Sequence, residues 1–422
     1  MSASGLLGEF LTRVTEVGRA LTTGAGAPTL VEQCEALLDG RGEATGMAVA
    51  SEILQRYAAL DDAQKTEFFS DLTTRFGVDQ GGLALAVEAW RDVGDDGSSR
   101  ILHFASEPRS QELIRRLNRA PGATAALVAM RHDLLRLIGE APGLAPLDRD
   151  FHHLFSSWFN RGFLELRRID WSTPAAVLEK VIAYEAVHEI SGWEDLRRRV
   201  AAPDRRLYAF FHPALRDEPL IFVEIALTDT IPQAIDPILA EEREALEPSA
   251  AATAAFYSIS NCQPGLRGVS FGNFLIKQVV EELHRDYPAL KTFVTLSPIP
   301  GLRDWVASRP NLLTPAEAEA VAGDATPEPE ILSGIAAAYL AEARAPRGGA
   351  LDPVARFHLG NGARLERINA QADLAPRAQR SSWGLMVNYL YDLPDIERNH
   401  EAYANEGEIA CSAAIRRLLR AR

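Results

Sequence analysis

Between residues 30 and 163 apolar side chains return every three or four positions, with few β-branched runs, which is the periodicity of helices that bury one face. The stretch starting at Asp61 shows the logic. Asp61 and Asp62 suit a cap, Phe68, Leu72 and Phe76 fall on one face, and Gly77 suits the residue just past a helix. Comparable patterns predict helices over 48–60, 83–93, 110–118, 123–138 and 147–161. An all-α N-terminal domain over residues 1–160 follows.

After Trp171-Ser172-Thr173-Pro174, where serine or threonine can cap and proline can open a helix, the pattern changes. Strand-like runs at 207–211, 220–227, 255–260 and 292–296 alternate with helical ones, including 331–343. Thr314-Pro315-Ala316-Glu317 has the residues of a capping box and predicts a short helix to Val321. The run 384–391 alternates with period two, which puts Tyr389 and Tyr391 on one side of a strand. Pro/Gly-rich stretches at 323–330 and 345–350 read as exposed loops. Residues 161–422 therefore form an α/β or α+β domain, and the whole chain is α+β.

Bulk properties narrow the partners. With 422 residues the chain exceeds one comfortable core, and 47% apolar content supports two well-buried ones. A net charge of −14 opposes broad binding to nucleic acid or anionic membranes. No apolar run approaches the roughly 20 residues a membrane span needs. Glu9 and Glu16 among Arg13 and Arg19 do not suit a transit peptide, and Leu418-Leu-Arg-Ala-Arg422 is no peroxisomal address. Cys34, Cys262 and Cys411 lack metal-like spacing and read as structural thiols in a reducing compartment. The expectation is a soluble, cytoplasmic protein.

Chemistry concentrates in three places. The run Ile259-Ser-Asn-Cys-Gln-Pro-Gly265-Leu-Arg267-Gly268-Val269-Ser270-Phe271-Gly272-Asn273 joins a strand to a helical pattern carrying Phe274, Leu275, Val279 and Leu283. Its three glycines would let backbone N–H groups approach a ligand at a helix N-terminus, where a pyrophosphate is the natural guest. An ordinary glycine turn is the alternative. Next, Thr295-Leu-Ser297-Pro-Ile-Pro-Gly301 ends a strand, so Ser297 either faces the ligand side of the sheet or closes a local Ser-Pro turn. Finally, His358, between Phe357 and Gly360-Asn361-Gly362, is placed to be partly buried beside a mobile edge with a pKa suited to proton transfer, or else is structural. Tyr389 and Tyr391 are core residues or site residues. His188-Glu189 lacks the second histidine of a zinc-protease helix, the adjacent His152 and His153 diverge, and Ser297 lacks a nucleophile elbow.

Taken together, Tyr184-Glu-Ala-Val-His188, Phe211-His-Pro213, 217–228, Phe256-Tyr-Ser-Ile-Ser260, Leu296-Ser-Pro-Ile-Pro-Gly301 and Phe357-His-Leu-Gly-Asn-Gly362 resemble malonyl-CoA decarboxylase over roughly residues 180–395. The resemblance implies an acetyltransferase-superfamily fold for residues 161–422 and a helical N-terminal bundle engaged in oligomer contacts, with a tetramer as candidate. It implies that residues Arg267, Gly268, Val269, Ser270, Phe271, Gly272 and Asn273 cradle the CoA pyrophosphate. Ser270 departs from the glycine of acetyltransferases and from the glutamate of decarboxylase relatives, so a carboxylate-dependent step at that position is not expected. Catalytic serine and histidine fall on Ser297 and His358, and the family tyrosine on Tyr391, with Asn361 as an orienting group. The implied reaction turns malonyl-CoA into acetyl-CoA and carbon dioxide without metal or redox cofactor. A CoA-dependent acyltransferase of the same fold and a non-catalytic acyl-CoA sensor are the other readings.

Overall fold

The computed structural model describes residues 28–422 except 41, 272–274, 324–325, 347 and 422. The residues weighed for a transit peptide lie outside the described ones, as do Gly272, Asn273 and Phe274. Two compact units emerge: Met1–Phe163 with Pro213–Leu215 and Gln263–Ser270, and the remainder. The glycine turn thus belongs to the helical unit by its packing.

That unit contains, among its described residues, α1 (Leu30–Asp39), α2 (Glu43–Ala58), α3 (Asp62–Arg75), α4 (Gln80–Val93), α5 (Asp96–Ala105), α6 (Arg109–Leu117), α7 (Ala123–Leu137) and α8 (Ala145–Trp158). Asp61 caps α3 and Gln64 reaches back to complete a capping box. Phe68, Leu72 and Phe76 are all buried, as their spacing requires. The helix ends with Phe76 as its C-cap, whose N–H reaches the Leu72 carbonyl at 3.1 Å, so Gly77 stands just past the helix as expected.

The second unit is built on one mixed sheet of β1 (Glu165–Ile169), β2 (Arg205–Phe211), β3 (Ile221–Thr228), β4 (Thr253–Asn261), β5 (Thr292–Thr295), β6 (Ser297–Pro298), β7 (Arg364–Asn369) and β8 (Met386–Leu390). Its order is β1-β2-β3-β4-β5-β8-β6, with β7 also on β8. Antiparallel pairing runs from β1 to β4, β4 and β5 are parallel, and β8 is antiparallel to β5, β6 and β7. The parallel pair is joined through the glycine turn and the Leu275–Asp286 helix, which buries Leu275, Ile276, Val279, Val280 and Leu283. Antiparallel strands leading to a parallel crossover after a glycine turn form the acetyltransferase-like core that the resemblance implies.

Two local expectations are corrected. Pro174 occupies the cap position before the Ala175–Tyr184 helix without a side-chain cap, because the Thr173 hydroxyl accepts instead from the Asp170 N–H at 3.0 Å. Strands β1, β6 and β7 arise where no strand was anticipated. Thr314 does form its capping box with Glu317.

Under β3 the sheet buries a carboxyl. Glu224 is fully buried, and one of its oxygens lies 3.4 Å from the Arg199 guanidinium. Burial raises its pKa to about 8, aided by neighbouring Glu185 and opposed by Arg199. The folded state therefore binds this proton more tightly than the unfolded one, so the contribution to stability is full below about pH 4.5 and is lost as pH rises toward 8. Glu224→Gln is expected to flatten that decline, read as urea midpoints at intervals between pH 5 and pH 8.

Candidate active site

The site begins where the sheet breaks. β5 meets β8 at Val294 opposite Leu390, and the short β6 resumes the pairing at Ser297 opposite Val387. Between them side chains replace the backbone ladder: the Asn388 amide donates to the Thr295 carbonyl at 2.7 Å, and the Tyr389 N–H donates to the Thr295 hydroxyl at 3.1 Å. Period two places Ser297 on the same face as Thr295, and its hydroxyl donates to Thr295 Oγ1 at 2.9 Å.

His358 arrives on the Pro353–Gly360 helix. Asp352 caps that helix by accepting from the Val354 and Ala355 N–H groups, both at 2.9 Å, and Pro353 opens it. In the last turn the imidazole spans two hydroxyls, with Nε2 at 3.2 Å from Ser297 Oγ and Nδ1 at 2.8 Å from Tyr391 Oη. Tyr389 of β8 stacks on the ring, centroids 4.6 Å apart, so it and Tyr391, just past the strand's end, both meet the same histidine. Asn361 ends the helix, buried, with its amide on the Phe357 carbonyl at 2.8 Å.

Exposure falls from 6% at Ser297 to 2% at His358 and 1% at Tyr391. Ser297 is therefore the most exposed of the three, with the imidazole behind it. The partly buried histidine expected beside a mobile edge is corrected to a fully enclosed one. Burial pushes its pKa down to about 3 and pushes the Tyr391 phenol well above its ordinary value, so both groups rest neutral. A neutral imidazole donates through one nitrogen and accepts through the other. With Tyr391 donating to Nδ1, the Nε2 proton points to Ser297 and the serine proton to Thr295. Turning each hydroxyl and exchanging the imidazole tautomer reverses the chain with every member still neutral.

The glycine turn is a short 3-10 segment, Pro264–Leu266, followed by exposed Arg267, Gly268 and Ser270 and buried Val269 and Phe271. Gly268 has φ +82°, a conformation that favours glycine. Gly265 corrects the idea that all three glycines serve a ligand. A Cβ there would run into the Val128 carbonyl of α7, so this glycine is required for close packing. The sequence reading missed Thr295, Asn388 and Asp352. Asp352-Pro353 before an apolar run was a readable helix start, whereas nothing local marks Asn388 as a ladder substitute.

A helical unit followed by a mixed-sheet unit makes the chain α+β. Residues 162–422 match the malonyl-CoA decarboxylase C-terminal domain, and residues 76–159 match the malonyl-CoA decarboxylase N-terminal domain. The mitochondrial malonyl-CoA decarboxylase of the goose Anser anser anser is 35% identical over 87% of this chain and 82% of its own length. That of Rattus norvegicus is also 35% identical, over 86% and 84%. Among solved structures, malonyl-CoA decarboxylase from Rhodopseudomonas palustris is 53% identical with a TM-score of 0.88, covering 92% of this chain and 98% of that one. The Cupriavidus metallidurans enzyme is 36% identical with a TM-score of 0.73, again over 92% and 98%. The chain belongs to the malonyl-CoA decarboxylase family.

Because His358 titrates near 6.5 when unfolded and near 3 when folded, its contribution to stability is present above 6.5 and lost as pH falls. The loss approaches about 1.4 kcal/mol per pH unit across that window. His358→Asn is expected to make the acid limb shallower by that one proton, measured by urea denaturation between pH 4 and pH 7. His188, lowered to about 4 chiefly by burial, supplies a second proton of the same sign that this variant leaves in place.

Proposed function

We propose that this chain decarboxylates malonyl-CoA to acetyl-CoA and carbon dioxide through a thioester enolate. The observation that carries the reading is the enclosed Ser297–His358–Tyr391 relay in a chain of this family. When the bond between the α-carbon and the carboxylate breaks, its electron pair passes into the thioester carbonyl, which serves as its own electron sink. The enolate then needs a donor at oxygen and a proton at carbon. Ser297 meets the malonyl carboxylate and later the enolate. His358 restores the serine proton from behind, and Tyr391 holds Nδ1 so that Nε2 stays aimed at the hydroxyl.

A resting imidazole with a pKa near 3 is a poor acid store until a negative charge comes close. The substrate carboxylate is that charge, and its arrival favours the imidazolium. Enclosure also deprives the carboxylate of solvation, which favours its loss as neutral carbon dioxide. The turn carrying Arg267, Gly268, Val269, Ser270 and Phe271, continued by Gly272 and Asn273, is assigned to the CoA diphosphate, and Asn361 to orienting the end of the histidine helix.

The same reading makes the protein a cytoplasmic homo-oligomer. Cys34, Cys262 and Cys411 are unpaired, and α4 and α5 leave Leu85, Val93, Ile101 and Phe104 largely exposed. Such a cluster on a helical pair suits a second copy of the chain. Leu85→Glu with Phe104→Glu is expected to lower the mass seen by light scattering.

Ser297→Ala and His358→Asn should each lower kcat by about a hundredfold or more while leaving the fold intact. The assay follows carbon dioxide, acetyl-CoA and free CoA from malonyl-CoA, with and without amine acceptors. Near-normal turnover in both variants removes the assigned roles. Acylated amine would identify an acyltransferase, and binding without turnover a sensor.

A further inference from the structure

Arg131 on α7 is one of the largest fully enclosed side chains of the chain, at 2% exposure. Its Nε donates to Asp148 of α8 at 2.8 Å. Its Nη1 donates to two backbone carbonyls of the glycine turn, Gly265 at 2.8 Å and Arg267 at 3.0 Å. Removing a guanidinium from water is costly, and a side chain so placed is retained for what it holds. What it holds is the backbone, more than 130 residues along, of the segment assigned above to the diphosphate.

The geometry has a directional consequence. In a trans peptide the carbonyl oxygen and the following N–H point to opposite sides. With the Arg267 carbonyl drawn inward to Arg131, the Gly268 N–H turns the other way, toward the exposed side where Arg267 and Gly268 lie. His152 of α8 takes the next carbonyl, that of Gly268, at 3.1 Å, and the positive φ of Gly268 lets the chain reverse between the two anchors. Gly265 completes the seat, because only a residue without a side chain lets the turn lie against Val128.

We propose that Arg131 is a positioning residue for anion recognition: it presets the turn so that the Gly268 N–H faces a diphosphate, giving the helical unit a part in substrate affinity besides assembly. This rests on the assignment of the turn to the CoA diphosphate, and the experiment separates the two claims by comparing malonyl-CoA with malonyl-pantetheine, which carries the same thioester without nucleotide or diphosphate. The wild-type protein should show the lower KM for malonyl-CoA.

Arg131→Met should raise KM for malonyl-CoA about tenfold, the equivalent of one lost charge-assisted contact. Its KM for malonyl-pantetheine and its kcat with either substrate should stay within about twofold of wild type, a split that general loosening of the fold does not produce. Arg131→Lys, which keeps the charge but not the fork, should fall between. Should Arg131→Met fail to fold by circular dichroism, Asp148→Asn loosens the same guanidinium without emptying its site and should show a smaller rise of the same selectivity.

Folded variants that keep the wild-type ratio of the two KM values, or that lose kcat equally on both substrates, overturn the role of Arg131 while leaving the turn assigned. Equal KM values for the two substrates in the wild-type protein overturn the diphosphate assignment and the inference with it.

Discussion

A side-chain hydroxyl and a side-chain amide standing in for backbone groups are the constraint on which the site depends. Thr295 accepts the Tyr389 N–H through Oγ1, and Asn388 satisfies the Thr295 carbonyl. A regular ladder there would leave no register shift between β5 and β6. The substitution lets the chain re-enter the sheet at Ser297 while the Thr295 carbonyl and the Tyr389 N–H keep partners, which a buried backbone demands. The same Thr295 hydroxyl accepts from Ser297, so the group that opens the sheet also orients the reactive one.

The relay behind it is assembled from uncharged members. Tyr391, His358 and Ser297 come from the residue just past β8, the Pro353–Gly360 helix and β6, and the cap at Asp352 fixes the angle at which that helix delivers its imidazole. Enclosure keeps the histidine neutral and the phenol protonated. Neutrality costs less desolvation than an ion pair in the same place would, and it leaves the chain of hydrogens free to run either way. Compare Glu224, where the sheet buries a carboxyl with Arg199 alongside and its pKa is pushed upward. Burial thus favours the protonated form of the carboxyl beneath β3 just as it favours the neutral imidazole at His358.

Much of this was legible in the sequence for definite physical reasons. Apolar recurrence gave the helical unit, strand-like runs gave β2, β3, β4 and β5, alternation gave β8, and the Thr314 capping box formed as written. Ser297, His358 and Tyr391, each ambiguous alone, do converge. The misses share one cause, competition between local preference and tertiary partners. β1 reads Glu165-Leu-Arg-Arg-Ile169 and stays largely exposed, so its charges hide a strand that exists because β2 needs a neighbour. Thr173 had the chemistry of a cap but found the Asp170 N–H first. The depth of His358 was invisible because the residues that enclose it, Tyr389 and Tyr391, lie some thirty positions away in the chain.

An acidic protein that takes an acidic substrate must confine its attraction to a few atoms. With a net charge of −14 the long-range field repels a CoA thioester, so steering cannot supply affinity. Oriented backbone N–H groups can, because their dipoles act over a few ångströms and fall away beyond. Such groups are useful only if the peptide planes bearing them are fixed before the ligand arrives, since ordering them on binding would consume the gain. Fixing a peptide plane means holding its carbonyl, and the turn at residues 265–268 has three of its carbonyls held by Arg131 and His152. The peptide planes of the turn are thus set by side chains of the helical unit itself, before any ligand is present.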